Sequence, residues 1–232
     1  EYLQEIKSPI FYAVQKNINI QTGQPTILDF DMQRISQRIN IVFNIRTEGN
    51  IKREDLAAPI IELSGACGRF NIADACLDTT RLYRMAHQVQ PDEFTQTGEG
   101  TYRCVVHFHT LGVIPSAAKG HLNGPGILQV ALQVSTPQLD SSGAPVVDEE
   151  GNPVKNSRYI YGAINPYDEL TAAQLIEVRD GKIYLRYSKE DVNIEITTPL
   201  VIKADQIVPN DTGMGWQPHD PTNPDDDIII EI

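Results

Sequence analysis

His107 and His109 stand two residues apart in TYRCVVHFHT, a run rich in strand formers. Side chains at i and i+2 of a strand emerge on the same side, so two imidazoles placed this way supply half of a metal site. Cys104 has the opposite parity and no third ligand is evident nearby, which leaves His107 and His109 as weak metal candidates and better read as half-exposed strand histidines, at home in an interface. Two acidic clusters raise the same question. Asp148, Glu149 and Glu150 precede Gly151-Asn152-Pro153, and Asp225, Asp226 and Asp227 precede a short apolar end. Neither follows the alternating ligand spacing of a calcium loop, so both read as solvated charge. The chain has no Gly-x-Ser-x-Gly, phosphate-cradling glycine loop, His-Glu-x-x-His or Cys with a neighbouring His. Asp74 and Asp78 form a carboxylate pair of the ordinary surface kind. No catalytic residue, resident metal or cofactor is assigned, and an enzyme is not expected.

The elements that carry these residues are bounded by composition. The chain has 232 residues, 41% of them hydrophobic and 22% charged, enough for a sizeable core. Thirty-one acidic against 19 basic residues give a net charge of -12, which repels phosphate backbones and disfavours direct nucleic-acid binding. Mean hydropathy is -0.28 and no apolar run is long enough to span a bilayer. The opening EYLQEIKSPIFY lacks the basic-then-apolar pattern of a secretory signal. Cys67, Cys76 and Cys104 are too few for a disulfide-stapled scaffold, and an odd count leaves at least one thiol free or paired between chains.

RINIVFNIRT, residues 38–47, sets Ile39, Ile41, Phe43 and Ile45 on one face and is the clearest strand. Strands are also expected at 11–20, 26–31, 59–64, 101–110, 127–135, 158–164, 182–188, 192–197 and 200–204, separated by Gly, Pro, Asn and Asp turns. Residues 73–88 carry apolar side chains at helix-like intervals, and 168–178 open on Asp168 as an N-cap, so one or two short helices are expected. Between these, 137–157 read as an insertion, an extended hairpin with Asp148, Glu149 and Glu150 at its tip. Pro218, Pro221 and Pro224 stiffen the C-terminal stretch, which ends on Ile228, Ile229 and Ile230, an apolar strand needing cover from a neighbour. Trp216, between glycines and prolines, reads either as a loop anchor or as an interface contact.

INIVFNIRTEG, DACLDTTRLYRMAHQ, the paired runs YRCVVHFHT and ILQVALQVS, the hairpin at 141–162 and the extended tail together resemble a viral capsid subunit of the jelly-roll kind. More narrowly, the chain is similar to the larger major capsid protein of tailless, internal-membrane-containing icosahedral viruses of halophilic archaea, the vertical single β-barrel lineage. The resemblance implies an all-β jelly-roll barrel, with residues 1–135 as barrel core, 136–190 as a projecting tower, 191–217 as returning strands and 218–232 as a C-terminal arm. It further implies a virion location, self-assembly into capsomers, a second and smaller capsid protein as partner, proximity to an internal membrane, and cations that screen the acidic surface. Under it, Cys67, Cys76 and Cys104 are candidates for intersubunit disulfides, and Trp216, Ile228, Ile229 and Ile230 for interface contacts. The rival reading is a secreted or cell-surface β-sandwich that binds carbohydrate through Trp216, Tyr159, Tyr161 and Tyr184.

Overall fold

The computed structural model describes all residues except 50, 187, 188, 190, 204, 205, 211 and 220–232. Its strands are β1 (Phe11–Tyr12), β2 (Gln33–Arg34), β3 (Gln37–Glu48), β4 (Ile60–Cys67), β5 (Phe70–Asn71), β6 (Cys76–Leu77), β7 (Leu82–Gln88), β8 (Phe94–Gly98), β9 (Thr101–Thr110), β10 (Leu128–Pro137) and β11 (Lys155–Ile164). The helix α1 (Tyr167–Ala173) then precedes β12 (Ile176–Arg179), β13 (Lys182–Leu185), β14 (Asp191–Lys203), β15 (Gln206–Ile207) and β16 (Gln217–Pro218). The fold is all-β. Two five-stranded sheets, ordered β15-β14-β3-β9-β8 and β16-β11-β10-β4-β7, carry the long strands. They enclose one hydrophobic core and remain open at their ends, so the expected barrel takes the form of a sandwich.

Alternation builds this core. Ile39, Ile41, Phe43 and Ile45 of β3 are buried, as are Tyr102, Cys104, Val106 and Phe108 of β9 and Leu128, Val130, Leu132 and Val134 of β10. Each aliphatic side chain so buried contributes about 1.5–3 kcal/mol of transfer free energy. β14 is the longest strand and lies parallel to β3, its register shifting between Ile196 and Leu200, so that Val192, Ile194 and Ile196, then Leu200 and Ile202, all reach the core. That parallel pair at the centre of one sheet departs from the antiparallel ladders of a jelly roll. A second irregularity falls in β4 between Leu63 and Ala66. There Gly65 has φ +84, and a Cβ on it would lie 2.6 Å from the Ile114 carbonyl oxygen and 2.8 Å from the Gly126 nitrogen, so only glycine fits.

A smaller sheet, β12-β13-β6-β5, lies over a satellite cluster that includes Leu77, Leu111 and Leu185. It contains part of the segment expected as a helix. Residues 73–88 are not helical: Asn71 Oδ1 accepts from the amides of Ala73 and Asp74, closing a turn, and Asp78 Oδ1 accepts from Thr80 N–H. The chain then runs as β7, paired to β4 from Cys67↔Leu82 to Ile60↔Gln88. Long-range pairing outweighs the helical spacing of Leu77, Leu82 and Met85 because β4 offers a complete antiparallel ladder. At 168–178 a helix does form, but it begins at Tyr167 and stops at Ala173, with Gln174 left-handed at φ 52, and Asp168 lies in its first turn instead of capping it. Leu170 is its buried contact, and the helix packs against β14. Of the strands expected at 11–20 and 26–31, only Phe11–Tyr12 pairs, with Gln33–Arg34.

Within residues 136–190, 138–154 leave the sheet beyond β10 and β11, whereas 167–185 return to the body as α1, β12 and β13. The outward part is two copies of one turn, DSSGAPV at 140–146 and DEEGNPV at 148–154. In each, the aspartate Oδ1 accepts two amides, Ser142 and Ala144 for Asp140, Glu150 and Asn152 for Asp148. In each the glycine, Gly143 or Gly151, takes a positive φ. Gln138 N–H donates to the Val154 carbonyl and Val146 N–H to the Gln138 carbonyl, stacking the two turns side by side.

Candidate functional site

His107 and His109 do emerge on the outer side of β9, but each has its own partner. His107 Nδ1 lies 2.7 Å from Asn40 Oδ1, and Asn40 Nδ2 donates to Asn193 Oδ1 at 2.8 Å. His109 is buried, with Nε2 3.0 Å from Ser36 Oγ. Burial, then the charge of Arg34, holds the His109 ring below the usual imidazole range. The second nitrogen of His107 faces Glu93 at 3.6 Å, and Glu93 also holds His87 Nε2 at 2.9 Å. One carboxylate therefore bridges an imidazole from each large sheet, where β7 of one crosses to β8 and β9 of the other. Burial alone raises the Glu93 carboxyl, but the His87 hydrogen bond, the Gln90 amide and the charges of both histidines outweigh it and hold the group below the ordinary range.

His87 and Glu93 were missing from the sequence-based candidates. His87 fell inside the stretch read as helix, and Glu93 lies 14 residues from His107, a spacing that carries no signal until β8 folds back on β9. Among the described residues, no group of three or more His, Cys, Asp or Glu is arranged to hold a metal ion. The His87–Glu93–His107 set is instead a polar stitch between sheets.

The three cysteines are free and buried in separate places. Cys104 points into the main core and Cys67 into the satellite cluster, while Cys76 lines a groove of about 640 Å³ with Asp74, Asp78 and Lys182. Burial, with Asp78 adding to it, pushes the Cys67 thiol up to about 12; burial and then Glu93 do the same for Cys104. Cys67 and Cys104 are wholly enclosed, which removes them as intersubunit disulfide partners: a neighbour's sulfur has no approach to either. In the groove, Lys182 pairs with Asp74 at 3.0 Å and Arg69 with Asp78 at 4.0 Å, so its charges are already matched.

Trp216 is a loop anchor and not an exposed interface contact. Its indole is buried against Phe43 at 5.1 Å between ring centres, and Nε1–H donates to the Thr198 carbonyl at 3.0 Å. Ile228, Ile229 and Ile230 lie outside the described residues, as do Asp225, Asp226 and Asp227. Pro218 joins the sheet edge as part of β16, opposite Gly162, a place where proline is tolerated because its missing N–H faces no partner. At the tip, the Asn152 amide, helped by the Glu150 amide, holds the Asp148 carboxyl below the usual range against the opposing effect of burial. Glu149 and Glu150 point to solvent.

The remaining candidates for contact are exposed apolar side chains and open edges. Leu139 and Val147 are exposed on the double turn, Val178 on β12, and Ile20, Ile27, Phe30 and Met32 on the segment between β1 and β2. No helix among the described residues is long and apolar enough to cross a membrane. No family model, curated protein or solved structure matches the chain.

Proposed function

We propose that this chain is a structural shell subunit, a viral capsid protein that assembles through sheet edges and extended segments and performs no chemistry. The observation carrying the reading is the distribution of apolar surface: the sandwich buries a continuous core, yet apolar side chains stay exposed on the double turn, on the small sheet and along the N-terminal segment. Several separate apolar patches suit a subunit with several neighbours, since a lattice accumulates stability from many contacts of about 800 Å² per partner. The partners are further copies and a second, smaller capsid protein. Its place is the virion shell, near an internal membrane and without direct nucleic-acid contact. At a net charge of -12, neighbouring copies repel, and cations must screen or bridge them. Light scattering through a salt series tests this: larger assemblies form near 1 M salt than near 0.05 M, where the screening length is about five times longer. A particle size independent of salt counts against the reading.

One observation favours a carbohydrate-binding module. Tyr159 and Tyr161 stack at 6.2 Å on β11, with Tyr159 exposed. The platform ends with that pair, because Trp216 is buried and Tyr184 lies on the small sheet beneath the Arg179 guanidinium at 4.3 Å.

A further inference from the structure

We propose that residues 13–32 are a strand-donating arm that docks on the open edge of β12 in a second copy of this chain; the proposal rests on the assembly reading and names one contact it uses. The segment leaves β1 after Tyr12 and returns at β2, and over its 20 residues it has no regular structure beyond a turn at 22–24. Its sequence is nevertheless that of a strand. Tyr12, Val14, Ile18 and Ile20 alternate with Gln15, Asn17 and Asn19, and Ile27, Leu28 and Phe30 follow. Beyond the buried Tyr12 these apolar groups stay exposed: Ile20 is 76% exposed, Ile27 82% and Phe30 54%.

The root of the arm, by contrast, is fixed. Tyr12 packs edge-on against Phe70 at 5.3 Å and donates its hydroxyl to the Ile72 carbonyl at 2.8 Å, and Lys16 Nζ reaches the Ala73 carbonyl at 3.3 Å. Beyond Lys16, the backbone bond described within the segment joins Gln24 N–H to the Gln21 carbonyl. An extended segment with free backbone groups is satisfied by an open sheet edge, which supplies complementary donors and acceptors.

The fold offers such edges on neighbouring copies. β7 is covered by the chain's own first residues, with Leu3 N–H donating to the Arg84 carbonyl and Arg84 N–H to that of Glu1. β8 ends its sheet with Thr95, Gln96 and Thr97 exposed, a polar rim. β12 ends the small sheet, pairs on one side with β13, and holds Val178 65% exposed, which gives an apolar arm a matching edge. β12 offers four residues for pairing, so a short part of the 20-residue arm forms the ladder and the rest packs alongside. Charge agrees with this occupant. The arm carries Lys16, Asp29 and Asp31, 1 − 2 = −1 of the chain's -12, so it approaches an acidic neighbour with little repulsion. Arm and edge are different surfaces, so the contact is heterologous and propagates into rings or longer arrays.

Sedimentation velocity of the full chain at about 1 M salt tests the contact with two variants, Ile20→Asp/Ile27→Asp in the arm and Val178→Lys on the edge. Each alone weakens association by about tenfold or more, with a melting temperature within about 2 °C of the unaltered chain because the changed side chains are exposed. Mixing the two restores a dimer, since the intact arm of one meets the intact edge of the other. Variants that associate like the unaltered chain overturn the arm while leaving assembly standing. A chain that is monomeric at every salt concentration overturns both, and one that is monomeric yet co-sediments with phosphatidylcholine vesicles assigns the arm to a membrane. A large drop in melting temperature for the arm variant also overturns the proposal, because it places the arm on its own body.

Discussion

Trp216 shows how one side chain from an irregular loop completes a core assembled from distant strands. It fills space against Phe43, and its indole N–H satisfies the Thr198 carbonyl where β14 shifts register. Trp216→Ala is expected to lose about 3–5 kcal/mol in a denaturant titration, the usual cost of emptying a large buried site. Trp216→Phe keeps much of the packing and loses about 1–3 kcal/mol through the orphaned carbonyl. Glu93 sets a pH dependence. Its folded carboxyl titrates below the ordinary glutamate value of about 4.3, so its stabilising contribution is complete above that pH and disappears as pH falls through the folded value. Glu93→Gln therefore flattens the acid side of the stability curve and costs about 1–3 kcal/mol near neutrality, where His87 and His107 lose their charged acceptor. Thermal melts from pH 3 to 7 read both effects, and an unchanged acid limb would contradict the bridge. Asp55 retains its own acid dependence in that variant: burial raises it, but the Lys155 hydrogen bond at 2.8 Å and the Lys52 amide together hold it lower.

At the level of elements, the irregular points do as much as the ladders. Gly65 lets β4 bend toward 114 and 125–126, where Ser64 Oγ also accepts the Ile127 amide. Gly65→Ala is expected to lose more stability than Gly23→Ala. Both sites have positive φ, which costs about 1–3 kcal/mol, but only Gly65 has backbone atoms within 3 Å of the added carbon, whereas Gly23 has nothing within 4 Å. Equal losses in parallel denaturant titrations would show that conformation alone, and not close approach, sets the cost. The same comparison of local and long-range terms explains which elements could be read in advance. β3, β9 and β10 were legible because each alternates for ten residues or more, whereas β14 is expected as two strands, 192–197 and 200–204, that join across the register shift between Ile196 and Leu200. β7 was not legible, because Leu82 and Met85 satisfy a helix equally well until β4 lies beside them.

For the whole molecule, the opposing terms are apolar surface left outside the core and a net charge of -12. In the proposed assembly the first favours association and the second resists it, so ionic strength decides between them, most steeply where the screening length falls from about 30 Å at 0.01 M to about 3 Å at 1 M. The cysteines take no part in that balance, since Cys67 and Cys104 are enclosed and Cys76 is all but covered. The double turn at 138–154 projects two copies of one seven-residue pattern, DSSGAPV and DEEGNPV, in place of the single extended hairpin expected from the Gly151-Asn152-Pro153 turn.

By itself the sequence determined the all-β class, the faces of the long strands and the acidity of the surface. These follow from two-residue alternation and from charge, both of which act locally. The tertiary structure alone decided that β3 and β14 run parallel, that His107 meets Glu93 and His87, that Trp216 turns inward, and that Ile20, Ile27 and Phe30 stay exposed. Each depends on which distant segments pair, and pairing is chosen by the burial of a whole core at once, a quantity that no short stretch of residues contains.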